Sequence, residues 1–272
     1  MPASSLDSAL QNGNRSLAAG LAVSLLRDQR WSAGMRPFYR YRELGVAAAT
    51  RGLYKAQHVQ ITGSAGPGTG WHCHDLNFQL VYVIAGFVRF QTENHGEVIL
   101  KAGDSAYLPP FMLHDEVEFS PDFEVLEVTS PAQVVTLTQA PREKPDRGPS
   151  RFSASHLRNE DFLRGSGPRA FLEYRDLGVT EASGRRAQAQ VVRTNGPFDG
   201  STGWHYHELD FQFVYVLEGW VTTELEGLGM YRLERGDAMN VPARRRHDVT
   251  AFSSDFTVLE INFPADFETI AG

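Results

Sequence analysis

The sequence predicts an all-β protein made of two tandem copies of one unit. Three observations carry this expectation. The chain repeats itself at a fixed offset of 133 residues, its apolar segments are short and punctuated by Gly, Asp, Asn or Pro, and its 272 residues suffice for about two domains with a core each. Apolar residues make up 42% and charged residues 22%, which suits a folded, water-exposed protein and excludes disordered, fibrous and membrane classes. The formal net charge of −7 offers no electrostatic footprint for nucleic acid, so no nucleic-acid partner is expected.

The apolar run 17–26 is about half the roughly 20 residues a membrane helix needs. Asp7 before it and Arg27, Asp28 and Arg30 after it do not resemble a cleaved leader. No membrane partner is therefore expected, and 1–36 reads as a short helical or irregular arm packed on the body or across a homodimer interface. The lone cysteine, Cys73, allows no intramolecular disulfide and suits a reducing, cytoplasmic setting.

From residue 38 the repeat governs the reading. Phe38, Tyr41, Arg42, Leu44 and Gly45 return as Phe171, Tyr174, Arg175, Leu177 and Gly178, and 71–86 matches 204–219 at ten of sixteen positions. Gly103-Asp104, Pro109, His114-Asp115, Val125-Leu126-Glu127 and Pro131 return as Gly236-Asp237, Pro242, His247-Asp248, Val258-Leu259-Glu260 and Pro264 without a gap. Segments 78–84, 97–100, 105–108 and 123–129 are rich in Val, Leu, Phe and Tyr, the composition of strands. Many short strands in about 100 residues imply a sandwich or jelly-roll barrel. The expected division is an arm at 1–36, a barrel at 37–139, a Pro-, Arg- and Ser-rich linker at 140–168 that carries at most a short helix, and a second barrel at 169–272.

Six of the nine histidines form three equivalent pairs: His72/His205, His74/His207 and His114/His247. The members of each His-x-His are two residues apart, so on a strand both imidazoles project from one face toward a common point, which suggests a metal. His114 and His247 arrive from a separate strand to close each site. Gln79 and Gln212 follow the second histidine by five residues, an odd step, so the chain must turn near Asp75-Leu76-Asn77 for the amide to join the cluster. Cys73, between two inward histidines, should face away.

These residues resemble the cupin superfamily, whose first motif is G-x5-H-x-H-x3 or 4-E-x6-G and whose second is G-x5-P-x-G-x2-H-x3-N. Gly66, His72, His74, Gln79 and Gly86 fall on the first motif of copy one, and Gly103, Pro109 and His114 on the second; His205, His207, Gln212, Gly219, Gly236, Pro242 and His247 do the same in copy two. The resemblance covers about 38–132 and 171–265. It implies two small jelly-roll barrels, a bicupin, with one divalent transition metal (Fe, Mn, Ni or Zn) in each, held by His72, His74, His114 and Gln79 and by His205, His207, His247 and Gln212. Gln replaces the usual Glu of the motif, Phe111 and Arg244 replace its Gly, Glu118 and Ala251 its Asn, and Asp199 the first Gly of copy two. A three-histidine, one-glutamine set is similar to that of certain cupins acting on unsaturated uronates. That likeness implies an isomerase, tautomerase or lyase acting on a small oxygenated acid or sugar acid, with an iron-dependent dioxygenase and a non-catalytic ligand-binding module as alternatives.

With no carboxylate among the expected ligands, a proton-transfer group must come from beyond them. Glu127 and Glu260, each in an apolar strand where an acid is costly unless paired or functional, are the candidates. Glu116 should share the inward face of His114 and is a candidate substrate-binding residue, whereas its counterpart is Val249. Tyr82/Tyr215 and Trp71/Trp204 belong either to the mouths or to the core. Phe111-Met112-Leu113 precedes one third histidine and Arg244-Arg245-Arg246 the other, so Arg244 and Arg246 are expected to anchor an anionic small-molecule substrate at the second site.

Overall fold

The computed structural model describes residues 20–34, 36–63, 68–196 and 200–272, with the backbone alone at Pro168. The arm reading for 1–19, the dimer interface placed on it, and the motif positions Gly66 and Asp199 lie outside these residues. Alternation within each strand decides the architecture. In strand Phe78–Ala85, Phe78, Leu80 and Tyr82 enter one buried cluster, while Val81 and Val83 enter another. Strand Phe211–Glu218 divides in the same way, with Phe211, Phe213 and Tyr215 on one side and Val214 and Val216 on the other. The first side belongs to a cluster that joins the two halves of the chain, and the second to the interior of each barrel, so both faces of these strands are covered and they read as almost continuous apolar runs.

All strand pairs among the described residues are antiparallel. The first half forms a seven-stranded sheet in the order Ser153–Ser155, Ser105–Tyr107, Phe78–Ala85, Glu124–Ser130, Lys55–Ile61, Tyr39–Glu43, Ser32–Ala33. Its interior is closed by the sheet His114–Phe119, Phe87–Thr92, Gly96–Lys101 and by the pair Cys73–Asp75 with Val135–Leu137. The second half repeats this plan with a seven-stranded sheet in which Phe211–Glu218 lies beside the central strand Thr257–Phe263, and a five-stranded sheet holding His205–His207 and His247–Phe252. Helix is limited, among the described residues, to single turns, as at Val46–Ala49 and Val179–Ala182. Among the described residues no helix is long and apolar enough to cross a membrane.

The segments outside the repeat are extended and exchanged. Ala22–Ser24 pairs with Ala238–Val241 of the second barrel, and Ser153–Ser155, within the 140–168 segment, pairs with Ser105–Tyr107 of the first. The second barrel thus receives a strand from the segment preceding the first, and the first receives one from the segment preceding the second. A fully buried arginine secures each exchange: Arg175 Nη1 donates to Gly103 O at 2.8 Å and Nη2 to Ser155 Oγ at 3.1 Å, while Arg42 Nη2 donates to Ser24 O and Oγ at 3.3 Å. Phe111 and Arg244, which occupy the glycine position of the second motif, keep the left-handed backbone at φ +60° and +55°.

Candidate metal centres

In each barrel the first and third histidines face each other across an antiparallel pair. His72 N donates to His114 O and His114 N to His72 O, both at 2.9 Å, and His205 is the cross-strand partner of His247. The second histidine, two residues along, joins them on the same face. Ring centroids lie 4.4, 4.9 and 5.4 Å apart in the first set and 4.4, 5.1 and 5.3 Å in the second. One ring nitrogen from each histidine lies within 4.8 Å of the others in both sets. The separate strand that carries the third histidine is the one paired with the His-x-His segment, which is what brings the rings so close.

Every Nδ1 is already engaged. His72 and His114 direct it at the carbonyls of Gly70 (2.6 Å) and Met112 (2.9 Å), and His205 and His247 at those of Gly203 (2.6 Å) and Arg245 (2.9 Å). His74 and His207 direct theirs at Thr136 Oγ1 (3.2 Å) and Thr269 Oγ1 (2.9 Å). Carbonyl acceptors fix the tautomer and leave Nε2 unprotonated, the form that binds a metal. His114 Nε2 is buried without a hydrogen-bond partner, a cost that a cation removes. Burial pulls His74 down to about 3, and His207 and His247 each down to about 4, so these imidazoles are neutral around pH 7. The donor set therefore fits a divalent transition metal in each barrel.

Gln79 and Gln212 reach the cavities through the expected break, since Cys73–Asp75 ends two residues before Phe78–Ala85 begins, and His205–His207 is likewise separated from Phe211–Glu218. Their amide nitrogens are held by the neighbouring glutamates. Gln79 Nε2 donates to Glu127 Oε1 at 2.8 Å and Gln212 Nε2 to Glu260 Oε1 at 3.0 Å. The other carboxylate oxygens accept from Gln57 Nε2 and, at 2.8 Å, from Gln190 Nε2. Glu127 and Glu260 thus line the cavities, but both of their oxygens are occupied. Burial pushes the Glu127 carboxyl up, opposed by the two amide donors.

The cavities differ. The first is about 380 Å³ and carries Glu116, Arg36, Tyr39, Tyr41 and Lys55 beside His72 and His74. The second is about 160 Å³ and has Val249 and Leu172 where the first has Glu116 and Tyr39, with Arg169 and Tyr174 matching Arg36 and Tyr41. Arg244 and Arg246 are not on its wall. They form surface ion pairs at 2.8 Å with Glu208 and Glu226, which corrects the expectation that they anchor a substrate there. Besides Lys55, the cavity cations are Arg36 and Arg169, which sequence reasoning passed over. Their signal was present, because Arg36/Arg169 and Gln57/Gln190 are identical across the 133-residue offset. Tyr82 and Tyr215 are core residues, Trp71 is 45% exposed, and Cys73 is buried off the cavity wall.

A family model described as Cupin domain matches residues 60–118 and 196–261, one in each half. No curated protein matches the sequence. Among solved structures, an oxalate decarboxylase studied for its substrate binding mode and reaction specificity superposes with a TM-score of 0.68 at 13% identity, covering 96% of this chain and 81% of that one. An arginine-to-alanine mutant of Bacillus subtilis oxalate decarboxylase gives 0.67 at 15%, covering 96% and 80%, and the formate complex of the Lactobacillus farciminis enzyme 0.68 at 13%, covering 96% and 90%. Identities this low establish a shared fold. With a domain match in each half, two equivalent barrels and a three-histidine group in both, the chain is a bicupin of the cupin family.

Proposed function

We propose that this bicupin is a metal-dependent enzyme acting on a small carboxylic or sugar acid by lyase- or isomerase-type proton chemistry, with turnover in the first barrel. The observation that carries the reading is Glu116, an acid whose oxygens are not tied to a glutamine pair, on the wall of the larger cavity beside His72, His74 and Arg36. The fold shared with oxalate decarboxylases supports a small acid as substrate. Mn is the first ion to test, because a similar Bacillus subtilis oxalate decarboxylase structure is described by its Mn(II) centres; Fe, Ni and Zn suit the same donors. When bound, such an ion supplies Lewis acidity that polarises a carbonyl or carboxylate oxygen.

The remaining work falls to side chains of this chain. Arg36 presents a fork of donors suited to a carboxylate. Burial pushes Tyr41 up to about 12 and, together with Glu116, raises Tyr39 further, so both phenols stay protonated and act as donors. Val81, Val88, Phe90, Leu108, Phe119 and Phe123 form an apolar wall that limits water. Glu116 is then the group that takes up and returns a proton. The buried free thiol of Cys73 fits a cytoplasmic setting.

The test incubates Mn-loaded protein with a panel of dicarboxylates, keto acids and sugar acids in D2O under argon, followed by NMR. Solvent deuterium incorporation or decarboxylated product, lost in Glu116→Gln, is expected. Turnover only with iron and oxygen uptake would establish a dioxygenase instead. Ligand-induced stabilisation without turnover would establish a binding module.

A further inference from the structure

In both barrels a glutamate sits between two glutamine side chains on three neighbouring strands. Glu127 is the direct cross-strand partner of Gln57, and on its other side Gln79 lies one step along the same face. Glu260 stands in the same relation to Gln190 and Gln212. Alternation turns Glu127 inward with Val125, and Glu260 inward with Val258, away from the packed residues Leu126, Val128, Leu259 and Ile261. Each glutamate oxygen takes one amide N–H group, at 2.8 Å from Gln79 and at 3.0 and 2.8 Å in the second copy.

An amide has two nearly isosteric orientations, and only its oxygen can face a cation. A carboxylate accepts and cannot donate, so it holds the nitrogen and leaves the oxygen for the cavity. We propose that Glu127 and Glu260 are positioning residues that lock Gln79 and Gln212 with the carbonyl oxygen toward the metal, and that they supply, one side chain further out, the negative charge the cupin motif places in direct contact with the ion. This rests on the reading that the histidine groups hold metal. It accounts for two otherwise separate features, the neutral amide at the motif position and a cavity-wall acid with both oxygens occupied. It also separates the two glutamates from proton transfer, which leaves Glu116 for that task.

The experiment compares full-length wild type, Glu127→Gln, Glu260→Gln and the exchange Gln79→Glu/Glu127→Gln, each titrated with Co(II) against a chelator while the visible spectrum is recorded. Glu127→Gln should weaken one of two sites by roughly 10- to 100-fold and alter its ligand-field bands, with the other site as an internal reference. Glu260→Gln should do the same to the other site. The exchange variant, which returns the carboxylate to the ion and places the amide behind it, should recover affinity to within about threefold of wild type, on the same scale of outer-sphere effects. Wild-type affinity and spectrum in both single variants would overturn the proposal. So would loss in Glu127→Gln without recovery in the exchange, because that pattern assigns the loss to packing. Failure of the underlying metal reading is distinguishable, since wild type itself would then take up no Co(II).

Discussion

Replacing Arg175 with Met tests how the two barrels are joined. The guanidinium is fully buried and reaches from the second barrel to Gly103 O at 2.8 Å, Ser155 Oγ at 3.1 Å and Ser155 O at 3.3 Å. Hydrogen bonds from a charged donor contribute about 1.5–3 kcal/mol each, offset by the desolvation of the cation, so a net loss of about 2–4 kcal/mol is expected. Met fills much of the volume, so cavity formation adds little. Arg42 holds the reciprocal exchange through contacts of 3.3 Å, and Arg42→Met should cost less. Urea unfolding followed by tryptophan fluorescence measures both. A loss below about 0.5 kcal/mol for Arg175→Met, which is the range of ordinary surface substitutions, or a larger loss for Arg42→Met, would refute the argument that these contacts bind the exchanged strands.

Arg244→Gly should leave stability unchanged or raise it by about 1 kcal/mol, because it relieves a left-handed residue and removes only an exposed ion pair; thermal melting checks this. Phe111→Gly relieves the same backbone but empties a buried site, and should cost about 2–4 kcal/mol by the same assay. Metal-stripped protein should lose stability in acid. His74, His207 and His247 are held near 3 to 4 when folded and return to about 6.5 when unfolded, so between those values the unfolded chain binds more protons. Each of these histidines contributes a slope of about 1.4 kcal/mol per pH unit, and denaturation midpoints at pH 7, 5.5 and 4.5 should fall with most of the change below 6.5; a flat profile contradicts the burial argument.

The barrels and the six histidines were legible because the repeat is gapless from Phe38 to Pro131 and because strand parity fixes which side chains converge. The exchanged strands were not. Leu26-Arg27 and Gly34 correspond to Leu157-Arg158 and Gly165 at an offset of 131, and a two-residue difference before Phe38 and Phe171 hides them from a gapless comparison. Their equivalence appears in space, where Leu26 N donates to Asp237 Oδ1 at 2.6 Å and Leu157 N to Asp104 Oδ1 at 2.7 Å. Arg244 and Arg246 misled because proximity to His247 along the chain does not say which side of a turn a long cation takes, and Glu208 and Glu226 draw both outward. The glutamine pairs around Glu127 and Glu260 were hidden for a different reason. Gln57 lies 70 residues from Glu127, and only the sheet order brings them together.

The central claim is that each barrel holds its own metal ion. Elemental analysis of protein purified without chelator, paired with His72→Ala/His74→Ala and His205→Ala/His207→Ala variants, tests it most directly. Two equivalents per chain in the wild type and one in each variant are predicted. An unchanged metal content in either variant, or a wild-type chain that retains no transition metal after loading and desalting, would contradict it.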